Sequence, residues 1–192
     1  MALTSTLLPL LLPTEGLVIN ISSLSSQVPY VFGSSYAASK GALTSWSRVL
    51  RAELEPLGVK VQCVMAGTVV SNIWESSARD ELPEGSLYSP VRYLWEKRLG
   101  YSQKPEGGPI ATETFARGVV DRALAREVPV VLRGLGWVGR PDWVYLGGSS
   151  RVYWWGAWLG EWVMDLWARR NFRLGELTKL VGWQGDEKAK KG

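Results

Sequence analysis

Two hydroxyls at the end of an apolar run, followed thirteen residues later by a tyrosine and a lysine four apart, restrict this chain more than any other feature. Residues 16–23 (GLVINISS) read as a buried strand that ends in Ser22 and Ser23. Residues 24–33 then form a loop, with Ser34 or Ser35 as the candidate N-cap of a long helix. Leu43, Trp46, Leu50, Leu54 and Leu57 recur along it at spacings of three and four, which is one apolar stripe, and Pro56 and Gly58 close it. A second strand, Val59 to Met65, runs into Ala66-Gly67-Thr68-Val69-Val70-Ser71. Strand, helix and strand in this order imply a right-handed parallel crossover. In an open parallel sheet the ligand lies beyond the carboxyl ends of the strands, and Ser23 and Gly67 both fall on that edge.

Tyr36 and Lys40 share one face of the helix, a turn apart. A phenol ordinarily loses its proton near pH ~10, and a neighbouring ammonium favours the phenolate. Such a pair can exchange a proton with a substrate, and a hydroxyl such as that of Ser23 can hold the substrate oxygen. The chemistry needs neither metal nor histidine, in a chain that has no His.

The strand-end serine, Tyr36-x-x-x-Lys40 and the segment from Ala66 to Ser71 together resemble the catalytic half of the short-chain dehydrogenase/reductase family over roughly residues 1–75. That family usually has Pro-Gly-x-Val-x-Thr where this chain has Ala66 and Ser71 at the ends. The resemblance implies an α/β fold, part of a Rossmann-type doubly wound parallel sheet, and hydride transfer between NADP(H) and a carbonyl or secondary alcohol. It makes Tyr36 the general acid in reduction and gives Lys40 the nicotinamide ribose. Ser23 orients the substrate oxygen, and Gly67, Val69 and Ser71 meet the nicotinamide end. Residues that tell NADP from NAD belong to an earlier part of the family's domain, so NAD stays open. The family's first half, with its glycine-rich pyrophosphate turn, is expected to precede residue 1. Residues 134–139 (GLGWVG) match G-x-G-x-x-G, but Arg140-Pro141-Asp142 after them is no helix opening.

Composition narrows the remaining classes. With 46% hydrophobic and 21% charged residues over 192 positions, the chain has a globular make-up. Its net charge of +4 is scattered, which gives nucleic-acid binding little support. The one cysteine, Cys63, sits in an apolar strand and reads as a buried thiol. Residues 1–13 lack the basic start of a secretory signal and read as a helix leading into the first strand.

Beyond Ser71 the pattern predicts a region of loops and short helices over residues 72–113, such as Val91 to Leu99. The resemblance makes that region a substrate lid, in which Trp74, Tyr88, Tyr93 and Trp95 line a pocket or pack locally. A helix over Thr112 to Glu127, with Phe115, Val119, Val120 and Leu124 inward, precedes a short strand at Pro129 to Leu132. The domain so read covers residues 1–133, and residues 134–192 form a tryptophan-rich appendage with a basic tail. Eight of the eleven tryptophans fall there. Within Val152 to Ala168, Trp155, Trp158, Trp162 and Leu166 recur at three and four, with Glu161 and Asp165 opposite and Arg169, Arg170 and Arg173 after them. The segment is too short and too charged to span a bilayer, which needs ~20 apolar residues. Indoles beside arginines suit a headgroup zone, so peripheral membrane contact inside the cell, at the endoplasmic reticulum, a lipid droplet or from the cytoplasm, stands beside packing on the domain. Two functions stand: the resemblance implies a reductase of a lipid-like, acyl-dihydroxyacetone-phosphate-like substrate, and the tail alone suits a non-catalytic remnant that binds membrane or partner through it. Homodimerisation through the long helix is an expectation by family analogy.

Overall fold

The computed structural model describes residues 2–72, 81–86, 88–133, 135, 138–150, 153–154 and 159–181. Helix α1 (Ala2–Leu11) leads through a tight turn into strand β1 (Leu17–Ser23), as the N-terminal pattern predicts. Helix α2 (Ser34–Leu54) crosses to strand β2 (Lys60–Ala66), which pairs with β1 in parallel, Leu17 beside Lys60 and Ser23 beside Ala66. Strand β3 (Trp143–Leu146) adds to the far side of β2, also in parallel, so the sheet order among the described residues is β1-β2-β3.

The central strand is the most buried because it has a neighbour on each side. Val61, Cys63, Val64 and Met65 are all inaccessible, in keeping with the buried thiol expected at Cys63. Leu50 and Leu54 of α2 join Val59 and Val61 in a core cluster, with Leu8, Leu11, Val18 and Trp46 against it. Each such side chain contributes roughly 1.5–3 kcal/mol on burial. Nearer the carboxyl ends of the strands the contact between α2 and β1 turns polar. Asn20 Nδ2 donates to Ser47 Oγ (2.9 Å), and Ser22 Oγ shares a 2.7 Å hydrogen bond with Thr44 Oγ1 and donates to the Lys40 carbonyl (3.0 Å). These bonds set the rotation of α2 against the sheet and so fix where Tyr36 and Lys40 emerge.

Several sequence expectations are corrected. The N-cap of α2 is Gly33, not Ser34 or Ser35, and Leu57 lies exposed in a 3-10 turn after the helix. The segment read as a strand at Pro129 to Leu132 is a short helix, α5 (Val130–Arg133), begun by a Leu132 N–H to Pro129 carbonyl turn. Arg133 holds it by donating to the Val128 carbonyl and reaching Glu55. The third strand is instead Trp143–Leu146, an aromatic and β-branched run. Helix α4 (Thr112–Ala123), which follows α3 (Arg92–Leu99), leaves Val120 52% and Leu124 79% exposed. It turns Gly118 toward Leu146 of β3, and at about 100° per residue Val120 and Leu124 then lie on the opposite side.

The expected helix over Val152 to Ala168 is placed later. Helix α6 (Glu161–Asn171) begins after Gly160, whose φ of +100° suits glycine, and is followed by α7 (Leu174–Val181). Trp155, Trp158, Val152 and Arg151 lie outside the described residues, as do Trp74, Gly134, Gly136, Trp137 and the Lys188, Lys190 and Lys191 tail. Met164, Ala168 and Phe172 are buried against the domain. Among the described residues no helix is long and apolar enough to cross a membrane.

Candidate active site

The carboxyl ends of β1 and β2, the start of α2 and the inner face of α6 enclose one cavity of about 810 Å³. Ser23, Tyr36, Lys40, Gly67, Val69 and Ser71, the six residues singled out in the sequence, all line it. Their convergence follows from the parallel crossover: Ser23 ends β1, Gly67 follows β2, and α2 begins over that same edge.

Each hydroxyl has a defined role in hydrogen bonding. Ser23 Oγ accepts twice, from the Ser25 N–H (3.2 Å) and the Ser25 hydroxyl (3.0 Å). Its own proton finds no acceptor among the described residues. Tyr36 stands in the first turn of α2, with the Tyr30 ring edge-on at 6.4 Å. Lys40 Nζ lies 5.8 Å from the Tyr36 ring centre and donates to the Ile21 carbonyl at 2.9 Å. One of its three N–H donors is thereby used, and the ammonium is pinned beneath the tyrosine.

The loop after β2 is held by close backbone approach. A Cβ on Gly67 would come within 2.1 Å of the Gly148 carbonyl oxygen, so only glycine lets the two segments meet. Gly67 N–H donates to Leu146 (2.7 Å), and Thr68 and Gly148 exchange backbone bonds. Gln103 clamps the rest: its Oε1 accepts from the Ser71 N–H and its Nε2 donates to the Val69 carbonyl, both at 3.2 Å. Sequence reading missed Gln103, whose partners lie more than thirty residues away.

The other end of the cavity is aromatic. Tyr30, Tyr101, Trp167 and Phe172 line it, the last touching the other three at 6.1–6.2 Å between ring centres. Asn171 Nδ2 donates to the Tyr101 hydroxyl (3.1 Å). Burial pushes the Tyr30 phenol above its ordinary pKa, against the pull of the Arg98 guanidinium. Tyr153, also lining the cavity, is pushed up to about 12 by burial and by the neighbouring Tyr145. Both therefore remain hydrogen-bond donors at neutral pH.

Comparison with known proteins bears on what this arrangement is for. The short chain dehydrogenase family model matches residues 1–82. A short-chain dehydrogenase of Pyricularia oryzae is 33% identical over 176 residues, 89% of this chain and 55% of that protein. Residues 1–82 thus belong to the short-chain dehydrogenase family, and the chain as a whole is similar to its members. An NADPH-dependent 1-acyldihydroxyacetone phosphate reductase of Schizosaccharomyces pombe is 40% identical over 88 residues, 44% of this chain and 30% of that protein. A crystal structure of a short-chain dehydrogenase from Streptomyces avermitilis superposes with a TM-score of 0.57 at 23% identity, over 91% of this chain and 57% of that one. The α/β architecture expected from the sequence is therefore the family's. The chain spans about half the length of the curated relatives it matches most fully.

Family members use a nicotinamide cofactor, and the donor set here fits its nicotinamide-ribose end. The pinned ammonium of Lys40, the hydroxyls of Tyr36 and Ser23 and the backbone from Val69 to Ser71 face one space of ligand size. Gly139, the described end of the G-x-G-x-x-G match, packs against Val128 and does not line this cavity.

Proposed function

We propose that this chain carries the catalytic centre of an NADP(H)-dependent reductase acting on the carbonyl of a lipid-like substrate. The observation that carries the reading is the convergence of Ser23, Tyr36, Lys40 and the 67–71 loop on one cavity with an aromatic far end. The cofactor supplies hydride when bound. Ser23 would donate a hydrogen bond to the substrate oxygen and keep its proton, and Tyr36 would supply the single proton that this oxygen takes up on reduction. Lys40, its Nζ 5.8 Å from the Tyr36 ring centre, stands beside the proton donor, and its remaining donors would hold the ribose hydroxyls. NADP rather than NAD is supported by the phosphorylated cofactor in the name of the Schizosaccharomyces pombe relative.

The outer face of α6 supports a peripheral membrane contact. Trp162 and Leu166 are 67% and 59% exposed, and at about 100° per residue Arg169 and Arg170 follow on the same side. A second reading, a non-catalytic protein acting through this face alone, draws on the same exposure.

Titration of the chain with NADPH, followed by nicotinamide fluorescence, separates them. The reductase reading expects saturable binding weakened by Lys40→Ala, and Tyr36→Phe lowers carbonyl reduction at least ~100-fold. Turnover that survives Tyr36→Phe would refute the catalytic assignment.

A further inference from the structure

The cavity holds two charged side chains among the described residues that line it, Lys40 and Arg98, and no carboxylate. Lys40 lies at the nicotinamide end and is bound to the Ile21 carbonyl. Arg98, on α3, stands at the aromatic end, its guanidinium carbon 4.4 Å from the centre of the Tyr30 ring. Tyr30 in turn meets Tyr36 at 6.4 Å, so one ring separates the guanidinium from the proposed proton donor. Arg98 forms no ion pair with any described residue, and its Nε is buried with no hydrogen-bond partner. The nearby Arg92, by contrast, is matched to Glu96. A guanidinium that lines a cavity with no carboxylate to match it is open to an anionic ligand through its outer N–H groups.

The local backbone makes room for this cation. At Gly33 a Cβ would fall 2.4 Å from Arg98 Nη2 and 2.6 Å from Tyr30, so a side chain there would push the guanidinium aside. Gly33 also caps α2 without any side-chain bond, which leaves the positive end of a 21-residue helix beside Arg98. Both charged side chains among the described residues that line the cavity are therefore positive.

We infer that Arg98 receives an anionic oxoacid group of the substrate, a phosphate ester or a carboxylate, carried one aromatic ring away from the carbonyl that is reduced. The inference rests on the reductase reading for the carbonyl, but the anion site itself can be tested without turnover. The planar guanidinium offers a bidentate fork to such a group, and the Tyr30, Tyr101, Trp167 and Phe172 rings cover the apolar remainder.

Isothermal titration of the full chain with decyl phosphate, decanoate and decanol, each below its micellar concentration, tests the site directly. At least one of the two anions binds saturably and more tightly than decanol, and which of them binds better identifies the group. Arg98→Met, which keeps an apolar stem on Tyr30, weakens that anion roughly 10–100-fold, the scale of a lost charge-assisted pair, and weakens decanol far less. Arg98→Lys keeps the charge without the fork and falls between. Gly33→Ala moves the anion affinity in the same direction as Arg98→Met. Equal losses for anion and alcohol, an unchanged anion affinity in Arg98→Met, or no saturable anion binding in a chain that still binds NADPH would overturn the inference. A parallel loss of NADPH affinity in Arg98→Met would overturn it too, because the guanidinium would then serve the cofactor. A chain that binds the anion through Arg98 but not NADPH keeps this site and fails the reductase reading instead.

Discussion

At the residue scale, the cavity depends on contacts that tolerate no added atom. Gly67 meets the Gly148 carbonyl so closely that a methyl group would sit 2.1 Å from it, and backbone on both sides leaves little to yield. Gly67→Ala is expected to lower stability by about 1–3 kcal/mol, the range for overpacking, and to displace the Val69–Ser71 backbone. Urea unfolding gives the first effect, and a weaker NADPH titration gives the second. The buried phenols predict a pH dependence of the opposite kind to acid unfolding. Tyr30, Tyr145 and Tyr153 all have pKa values raised by burial, Tyr153 to about 12. In the unfolded chain a phenol loses its proton near the ordinary value of ~10, while the folded form keeps it. The folded state then binds more protons, so stability is level below pH 10 and falls as pH rises from there toward 12. Thermal unfolding midpoints across pH 8–12 should show that decline, and Tyr153→Phe should make it shallower. A profile unchanged by the substitution would remove Tyr153 from the cause.

At the scale of elements, the third strand is the one secured by charge. Arg51 of α2 donates from Nε to the Val61 carbonyl and from Nη2 to the Asp142 carbonyl, both at 2.8 Å, and stacks 4.8 Å over Trp143. One side chain thus joins α2, β2 and the start of β3, and burial holds its pKa below the usual arginine value. Arg51→Met leaves two carbonyls without that donor and should destabilise by roughly 2–4 kcal/mol, with amide exchange rising first across Trp143–Leu146. Uniform loss of protection over all three strands would mean that β3 is not separately secured. This long-range fastening also explains what the sequence could and could not disclose. Ser23, Tyr36 and Lys40 were legible because a strand, a turn and a helix place them within eighteen residues, and local periodicity carries that far. β3 was hidden because Trp143 to Leu146 stand among other tryptophans, and Pro129 to Leu132 offered an equally apolar run nearby. What decided between them was Arg51, together with the Gly67 approach to Gly148, neither of which periodicity records. Arg98, Gln103 and Phe172 were missed for the same reason: Tyr30, Val69 and Tyr101, which they meet, are distant in sequence, and isolated residues of these types carry no spacing signal.

For the molecule as a whole, α6 is the element that joins the cavity to the outside. Met164, Trp167 and Asn171 of its inner side line the cavity, while Trp162 and Leu166 point away from the domain with Arg169 and Arg170 beyond them. A helix so placed can rest its outer face in the headgroup zone of an anionic bilayer while its inner face guards the aromatic end of the site. The carboxylates of Glu161 and Asp165, also exposed, lie toward the start of the helix, so the favourable charge is concentrated at its last turn. Flotation with vesicles of phosphatidylcholine and phosphatidylserine should carry the chain upward, and pure phosphatidylcholine should carry less of it. Trp162→Ser with Leu166→Ser removes the inserted side chains, and Arg169→Gln with Arg170→Gln removes about 1 kcal/mol of attraction per arginine near the surface. The first pair should lower binding at every salt concentration. The second pair should lower it mainly at low ionic strength, where exposed charges are least screened. Binding indifferent to both pairs would place any membrane affinity elsewhere and leave α6 as a wall of the cavity alone.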